Sequence, residues 1–214
     1  MILKLGQLSS YYYANKNFEK GDSLIEKQIM LAEATMRQNL VLAVYFNNAG
    51  YLSTGATTKD RSRNIQVYIK RALEYAKAND LADYMAFAFS NLSILNLSDG
   101  QLEEAFKNAN LAFTTALNTQ NDSAKVICAI QLGNVYQRKS DILMAFKTFT
   151  NAHNIAILRE NERLLPPVYH AMANLYSKLG QKKQQKNIYT KASPFIKKKM
   201  ILPVRSTIIF FLPS

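Results

Sequence analysis

The sequence predicts an all-α protein built from repeated pairs of helices. Two observations support this prediction. First, 48% of the 214 residues are hydrophobic while the chain has only seven glycines and five prolines, a composition typical of a packed helical protein rather than a disordered one. Second, a pattern of small and aromatic residues recurs at intervals of forty residues, which is the signature of a repeat architecture.

The pattern is clearest between residues 132 and 152, where a Leu-Gly pair and a tyrosine precede a small, an aromatic and a second small residue. These positions are Leu132, Gly133, Tyr136, Ala145, Phe149 and Ala152. Small residues such as Gly133 and Ala145 let two helix backbones approach closely, and the aromatic side chains fill the space beside them. The pattern therefore predicts two antiparallel helices joined by a short turn.

The same positions can be followed in both directions along the chain. Forty residues later they are Ala173, Tyr176, Tyr189 and Ala192, and forty residues earlier they are Leu92, Ser93, Ala105, Ala109 and Ala112. The small position of the second helix is, in five successive units, Gly21, Ile65, Ala105, Ala145 and Gln185. The first interval is 44 residues instead of forty, and we expect a longer loop at residues 55–60 to account for the difference.

These observations divide the chain into five repeats and a tail. The predicted repeats span residues 1–37, 38–79, 80–121, 122–161 and 162–199. Residues 200–214 form a basic and apolar tail, which falls partly where a sixth repeat would begin. We expect Pro194 to end the last helix, since proline lacks the backbone donor that a helix needs.

This pattern resembles the tetratricopeptide (TPR) repeat family, in a variety with a forty-residue period. The resemblance implies a right-handed superhelical solenoid whose concave face is lined mainly by the first helix of each repeat. HEAT and armadillo repeats also have periods of about 40–47 residues, but the Leu-Gly-x-x-Tyr match in the fourth repeat favours the TPR family. The match is strong in the third to fifth repeats and weak in the first two.

The resemblance also implies which side chains face the concave groove. On the first helices of the fourth and fifth repeats these are polar or cationic residues, namely Asn134, Gln137, Arg138, His170, Asn174 and Lys178. An asparagine carboxamide can both donate to and accept from a peptide backbone, and a nearby cation can hold a carboxylate. We therefore expect a peptide or a partner helix to bind there. The alternative, that these are ordinary polar residues on a solvated surface, stays open.

The sequence contains no convincing catalytic or metal-binding pattern. The two histidines, His153 and His170, lie on different predicted helices without cysteines or carboxylates at metal-ligand spacing. Cys128 falls on the apolar face of a first helix, which is typical of a buried thiol that packs as a small hydrophobe. We therefore predict no enzyme, no cofactor and no metal.

The net charge of +12 is concentrated at one end of the chain. Glu162 is the last acidic residue, and ten basic residues follow it. A nucleic-acid-binding solenoid is expected to spread its positive charge along the groove, so we do not expect nucleic acid as a partner. Contact with a membrane is open only for the basic C-terminal tail, whose lysines could approach an anionic surface. A single cysteine and the absence of a signal-peptide pattern favour the cytoplasm.

The leading functional prediction is a non-catalytic protein–protein interaction scaffold that binds a peptide or a partner helix in the concave groove. The alternative is a sensory or regulatory arm of a larger signalling protein, such as a kinase or a transcription regulator, whose output domain is missing. The apolar tail favours this alternative because solenoids normally end in a polar capping helix. The sequence predicts neither the identity of the partner nor the oligomeric state.

Overall fold

The computed structural model describes residues 1–53, 59–159 and 161–197, with side chains described outside 50–64 and 193–197. These ranges contain ten α-helices and no strand, so the predicted all-α fold is confirmed. A short 3-10 helix, Glu162–Leu164, precedes the ninth α-helix. The α-helices are α1 (Ile2–Ala14), α2 (Phe18–Glu33), α3 (Gln38–Ser53), α4 (Lys59–Ala78), α5 (Ala82–Ser98), α6 (Leu102–Leu117), α7 (Asp122–Arg138), α8 (Ile142–Leu158), α9 (Leu165–Lys178) and α10 (Lys182–Lys197).

The chain forms two compact units, and their boundary falls within α5, between Asn91 and Leu92. In the first unit α1 packs on α2, α2 on α3, and α3 on α4. In the second unit α6 packs on α7, α7 on α8, α8 on α9, and α9 on α10. Within each unit these consecutive helices are therefore neighbours, as expected when short turns join antiparallel helices. The boundaries of the five repeats stay a prediction, and residues 200–214 lie outside the described residues.

The turn from first to second helix has the same conformation in four of the predicted repeats. Its central residue is Lys16, Gly100, Ser140 or Gly180, and each has a positive φ, between 59° and 76°. A residue in this left-handed conformation ends the first helix and reverses the chain. The recurrence at equivalent positions supports the register read from the sequence. In the second repeat the corresponding turn lies within residues 54–58, outside the described residues.

Local sequence also sets several helix starts. The side chains of Asn17 and Asp141 cap α2 and α8, accepting hydrogen bonds from the backbone N–H groups of Lys20 and Met144. Two prolines, Pro166 and Pro167, occupy the first turn of α9, where a missing N–H costs nothing.

The expectation that Pro194 ends the last helix was wrong, because α10 runs to Lys197. A proline so close to the end of a helix removes one backbone hydrogen bond, and the helix can continue through it for a final turn.

The first unit is held by an apolar interior and by polar contacts at its edge. Arg71 on α4 pairs with Glu26 on α2 at 2.9 Å and lies over the ring of Tyr45, 5.4 Å from its centre. The hydroxyl of Tyr45 donates a hydrogen bond to Glu33. Burial, followed by this hydrogen bond, raises the pKa of Tyr45 to about 12. These contacts tie α2, α3 and α4 together.

The second unit shows the close helix packing that its small residues predict. Gly133 on α7 lies against the fully buried ring of Phe149 on α8, and a Cβ added to this glycine would lie only 2.4 Å from a ring carbon. Three further small residues, Ala105, Ala109 and Ala145, are fully buried on α6 and α8. The pairing of a small residue on one helix with an aromatic residue on the next therefore sets how closely α7 and α8 approach.

Candidate functional site

The predicted groove residues of the fourth repeat lie on one side of α7. Asn134, Gln137 and Arg138 follow one another at helical spacing and form a stripe of partly buried to exposed side chains. Arg138 is exposed, whereas Asn134 and Gln137 are partly buried. The terminal amide nitrogen of Gln137 is buried and has no hydrogen-bond partner. It must turn outward before it can donate to a ligand.

The residues of the fifth repeat form the matching stripe on α9. His170, Asn174 and Lys178 are spaced by four residues, and all three are exposed. Asn174 Nδ2 donates a hydrogen bond to His170 Nε2 over 3.1 Å. The hydrogen bond links two of the three exposed side chains of this stripe.

The two stripes belong to helices that pack together. Val126 and Ala129 of α7 share a hydrophobic cluster with Val168 and Ala173 of α9. The six predicted residues therefore lie on two neighbouring helices, and Asn134 and Arg138 occupy the positions that Asn174 and Lys178 occupy forty residues later. We call them the α7–α9 surface, defined by Asn134, Gln137, Arg138, His170, Asn174 and Lys178.

The charges of the α7–α9 surface are uncompensated within the described part of the chain. Neither Arg138 nor Lys178 forms an ion pair with a described residue, whereas the adjacent Lys139 pairs with Glu103. None of the six positions is acidic. The surface therefore combines carboxamides that can pair with a peptide backbone and cations that can attract a carboxylate.

The remaining candidate residues, Cys128 and His153, are packed against other parts of the fold. Cys128 is fully buried on α7, and burial raises the pKa of its thiol. His153 on α8 packs against Tyr169 on α9, with ring centres 5.5 Å apart. Among the described residues no group of three or more histidine, cysteine, aspartate or glutamate side chains could hold a metal ion. No described helix is long and apolar enough to cross a membrane.

Comparisons with known proteins find similar structures but no matching sequence family. No protein-family model matches the chain, and a search of curated proteins found no match. Solved structures do match: BtubC (BKLC) from P. vanneervenii superposes with a TM-score of 0.65 at 16% identity, covering 100% of this chain and 87% of that one. The chain has a TPR-like repeat fold.

A second TPR-like relative supports the same conclusion. The nearly identical TPR-like repeats of a protein described as a putative kinesin light chain, from Podosopora anserina, have a TM-score of 0.62 at 13% identity. The match covers 92% of this chain and 95% of the relative. At such low identity the likeness establishes the TPR-like fold alone, and the role of the α7–α9 surface stays a prediction.

The structure displays one further surface, on α10, that was not predicted from the sequence. The outer side of α10 carries a shallow groove of about 520 Å³. It is lined by Lys182, Gln185, Lys186, Tyr189 and Thr190. The forty-residue register could have indicated this surface, because the polar Gln185 and the tyrosine Tyr189 occupy the positions of the buried Ala145 and Phe149.

Proposed function

We propose that this chain is a non-catalytic protein-interaction module of the cytoplasm that binds an extended peptide or a partner helix on the α7–α9 surface. The observation that carries the proposal is the recurrence of an asparagine followed four residues later by a cation on both helices. These pairs are Asn134 with Arg138 and Asn174 with Lys178. Neither cation is paired with a described carboxylate.

The chemistry of these pairs favours a peptide over a small molecule. Carboxamides repeated on neighbouring helices match the repeated donors and acceptors of a peptide backbone. The two cations select a carboxylate, from an acidic side chain or from a peptide C-terminus. The TPR-like fold is consistent with this role because stacked repeats create extended binding surfaces.

The proposal can be tested with a peptide library selected against the full chain. The selected peptide is then titrated against the parent and against a variant in which Asn134, Arg138, Asn174 and Lys178 are replaced by alanine. Loss of several hydrogen bonds and charge contacts, each contributing about 1 kcal/mol, should weaken binding at least about tenfold.

The chain offers a matched control for this experiment. Lys107, Asn110, Lys147 and Asn151 are also two asparagines and two cations, and they are exposed on α6 and α8 rather than on α7 and α9. Their replacement by alanine should leave the affinity within about twofold of the parent value, which is less than 0.5 kcal/mol. Equal losses in both variants, or an unchanged affinity in the first, would contradict the proposal.

A further inference from the structure

The outer faces of the second helices in the middle of the second unit are covered by the first helix of the next repeat. Ala105 and Ala109 of α6 share a hydrophobic cluster with Leu132 and Val135 of α7. One repeat later, Ala145 and Phe149 of α8 share a cluster with Ala171 and Leu175 of α9. The natural occupant of this face, in this chain, is therefore a helix.

The equivalent face of α10 is open. Gln185 takes the place of Ala145 and is only partly buried. Tyr189 takes the place of Phe149, and its exposed fraction is 42%, whereas that of Phe149 is 0%. The face is accessible to a partner, because these residues line the shallow groove described above.

The chemistry of the face differs from that of α8 at two flanking positions. Lys182 replaces Ile142, and Lys186 replaces Phe146, forty residues apart in each case. A surface that is apolar in one repeat is thus bordered by two ammonium groups in the next. Tyr189 and the aliphatic part of Gln185 supply the remaining apolar contact. An occupant must place carboxylates over the lysines and a small or apolar residue over the tyrosine.

Neither α10 nor the segment that follows it contains a carboxylate side chain that could meet that requirement. α10 carries five lysines and no acidic residue, and no ion pair among the described residues involves it. Residues 198–214 are also without an acidic residue and carry two more lysines and an arginine. Like charge therefore argues against this segment as the occupant.

We propose that the outer face of α10 docks an acidic amphipathic helix of a partner protein, which continues the helix stacking seen at α6 and α8. The partner helix has glutamate or aspartate at a spacing of four residues, opposite Lys182 and Lys186. It presents an apolar side chain to Tyr189, which lies about one helical turn beyond Lys186. This site lies on a different helix from the α7–α9 surface and does not depend on the function proposed for that surface.

The test uses the full chain and a labelled synthetic helix. The probe is an alanine-based peptide of about 20 residues, long enough to form a helix in water, with glutamate and leucine recurring on one side. Binding is followed by fluorescence anisotropy at about 50 mM and about 300 mM salt, since screening weakens contacts between exposed charges. We expect saturable binding that the variant Lys182→Glu/Lys186→Glu weakens at least tenfold.

Two controls make the experiment specific. Lys183→Glu/Lys191→Glu changes the charge of α10 by the same amount, but neither lysine lines the groove, so binding should fall less than twofold. A second probe with lysine in place of glutamate should bind the Lys182→Glu/Lys186→Glu variant better than it binds the parent. This charge swap also shows that the variant is folded.

Other outcomes would overturn the proposal. An absence of binding, or equal losses in the two double variants, would show that the lysines act only as diffuse charge. Binding to vesicles that contain anionic lipid, with the same dependence on Lys182 and Lys186 and in the absence of peptide binding, would make a membrane the occupant. Self-association of the chain that Lys182→Glu/Lys186→Glu abolishes would make a second copy the occupant.

Discussion

Gln131 and Ser93 are joined by a hydrogen bond inside the second unit, from Nε2 of the glutamine to the serine hydroxyl over 3.0 Å. Ser93 in turn donates to the backbone carbonyl oxygen of Ala105 over 2.8 Å. Both side chains are buried. These two hydrogen bonds connect α7, α5 and α6. Ser93 occupies the position in the third repeat that Gly133 occupies in the fourth.

Replacing Ser93 with alanine should destabilise the protein by about 1–3 kcal/mol, because the buried amide of Gln131 loses its acceptor. Urea denaturation followed by circular dichroism measures this change in the free energy of unfolding. Gln131→Leu in the Ser93→Ala background should recover part of the loss, since no buried donor then remains unpaired. If the double variant loses as much free energy of unfolding as the two single variants lose together, the two side chains act independently.

Gly133→Ala should destabilise the protein although alanine is the better helix former. The helix preference favours alanine by at most about 1 kcal/mol, whereas overpacking a rigid core costs about 1–3 kcal/mol. The clash is with the ring of Phe149, which is fully buried, so the ring can make room only by shifting within the core. Thermal unfolding should therefore give a lower melting temperature for this variant than for the parent.

The same substitution should have the opposite sign in a Phe149→Ala background, where the added methyl group enters the space left by the ring. The third repeat already uses such a combination, with Ser93 and Ala109 at the two equivalent positions. If Gly133→Ala costs as much without Phe149 as with it, the contact with the ring is not what requires glycine.

Asn48→Leu should stabilise the protein by about 1 kcal/mol or more. Asn48 is 0% exposed, and neither its amide oxygen nor its amide nitrogen has a hydrogen-bond partner. A buried unpaired amide costs free energy that an apolar side chain does not. At the equivalent position the third and fourth repeats have Leu92 and Leu132, both buried.

The control is Asn96→Leu, measured in the same urea titration. Asn96 is also buried, but it donates to Gln101 and accepts from Asn108. Its replacement should destabilise the protein, since the partners then lose their bonds. A destabilising Asn48→Leu would mean that the pocket around this residue is too small for the larger side chain.

Alkaline pH should destabilise the first unit through Tyr45. Its pKa in the folded chain, about 12, lies above the unfolded value of about 10. The folded state therefore holds the phenolic proton more tightly, and this contribution is complete below pH 10 and is lost as the pH rises toward 12. Stability measured against pH should fall less steeply in this window for Tyr45→Phe than for the parent. Identical slopes would contradict the raised pKa.

Cys128 should not react with thiol reagents in the folded protein. The side chain is fully buried, and burial raises its pKa, so both access and thiolate formation are suppressed. Labelling with an aromatic disulfide reagent should be absent in buffer and complete in denaturant. Rapid labelling in buffer would show that α7 opens locally on the timescale of the reaction.

The fold class could be predicted from the sequence because the packing of repeats requires particular residue types at regularly spaced positions. Positions such as Gly133 and Phe149 must be small or aromatic wherever two helices approach closely, so the pattern recurs every forty residues even though the structural relatives share only 13–16% identity. The candidate surface was predicted from the same register. Its role in binding is untested, and its members differ more in exposure than the register implied.

The sequence by itself determined the helices, their order and the small residues at their contacts, because turns and close packing depend on neighbouring residues. Only the tertiary structure decided which polar groups are buried without partners, as in Asn48 and Gln137, and which lysines of α10 border an open groove. The physical reason is that a first helix such as α7 is covered on nearly all sides. No single apolar stripe then marks its exposed face, and exposure depends on helices distant in the sequence.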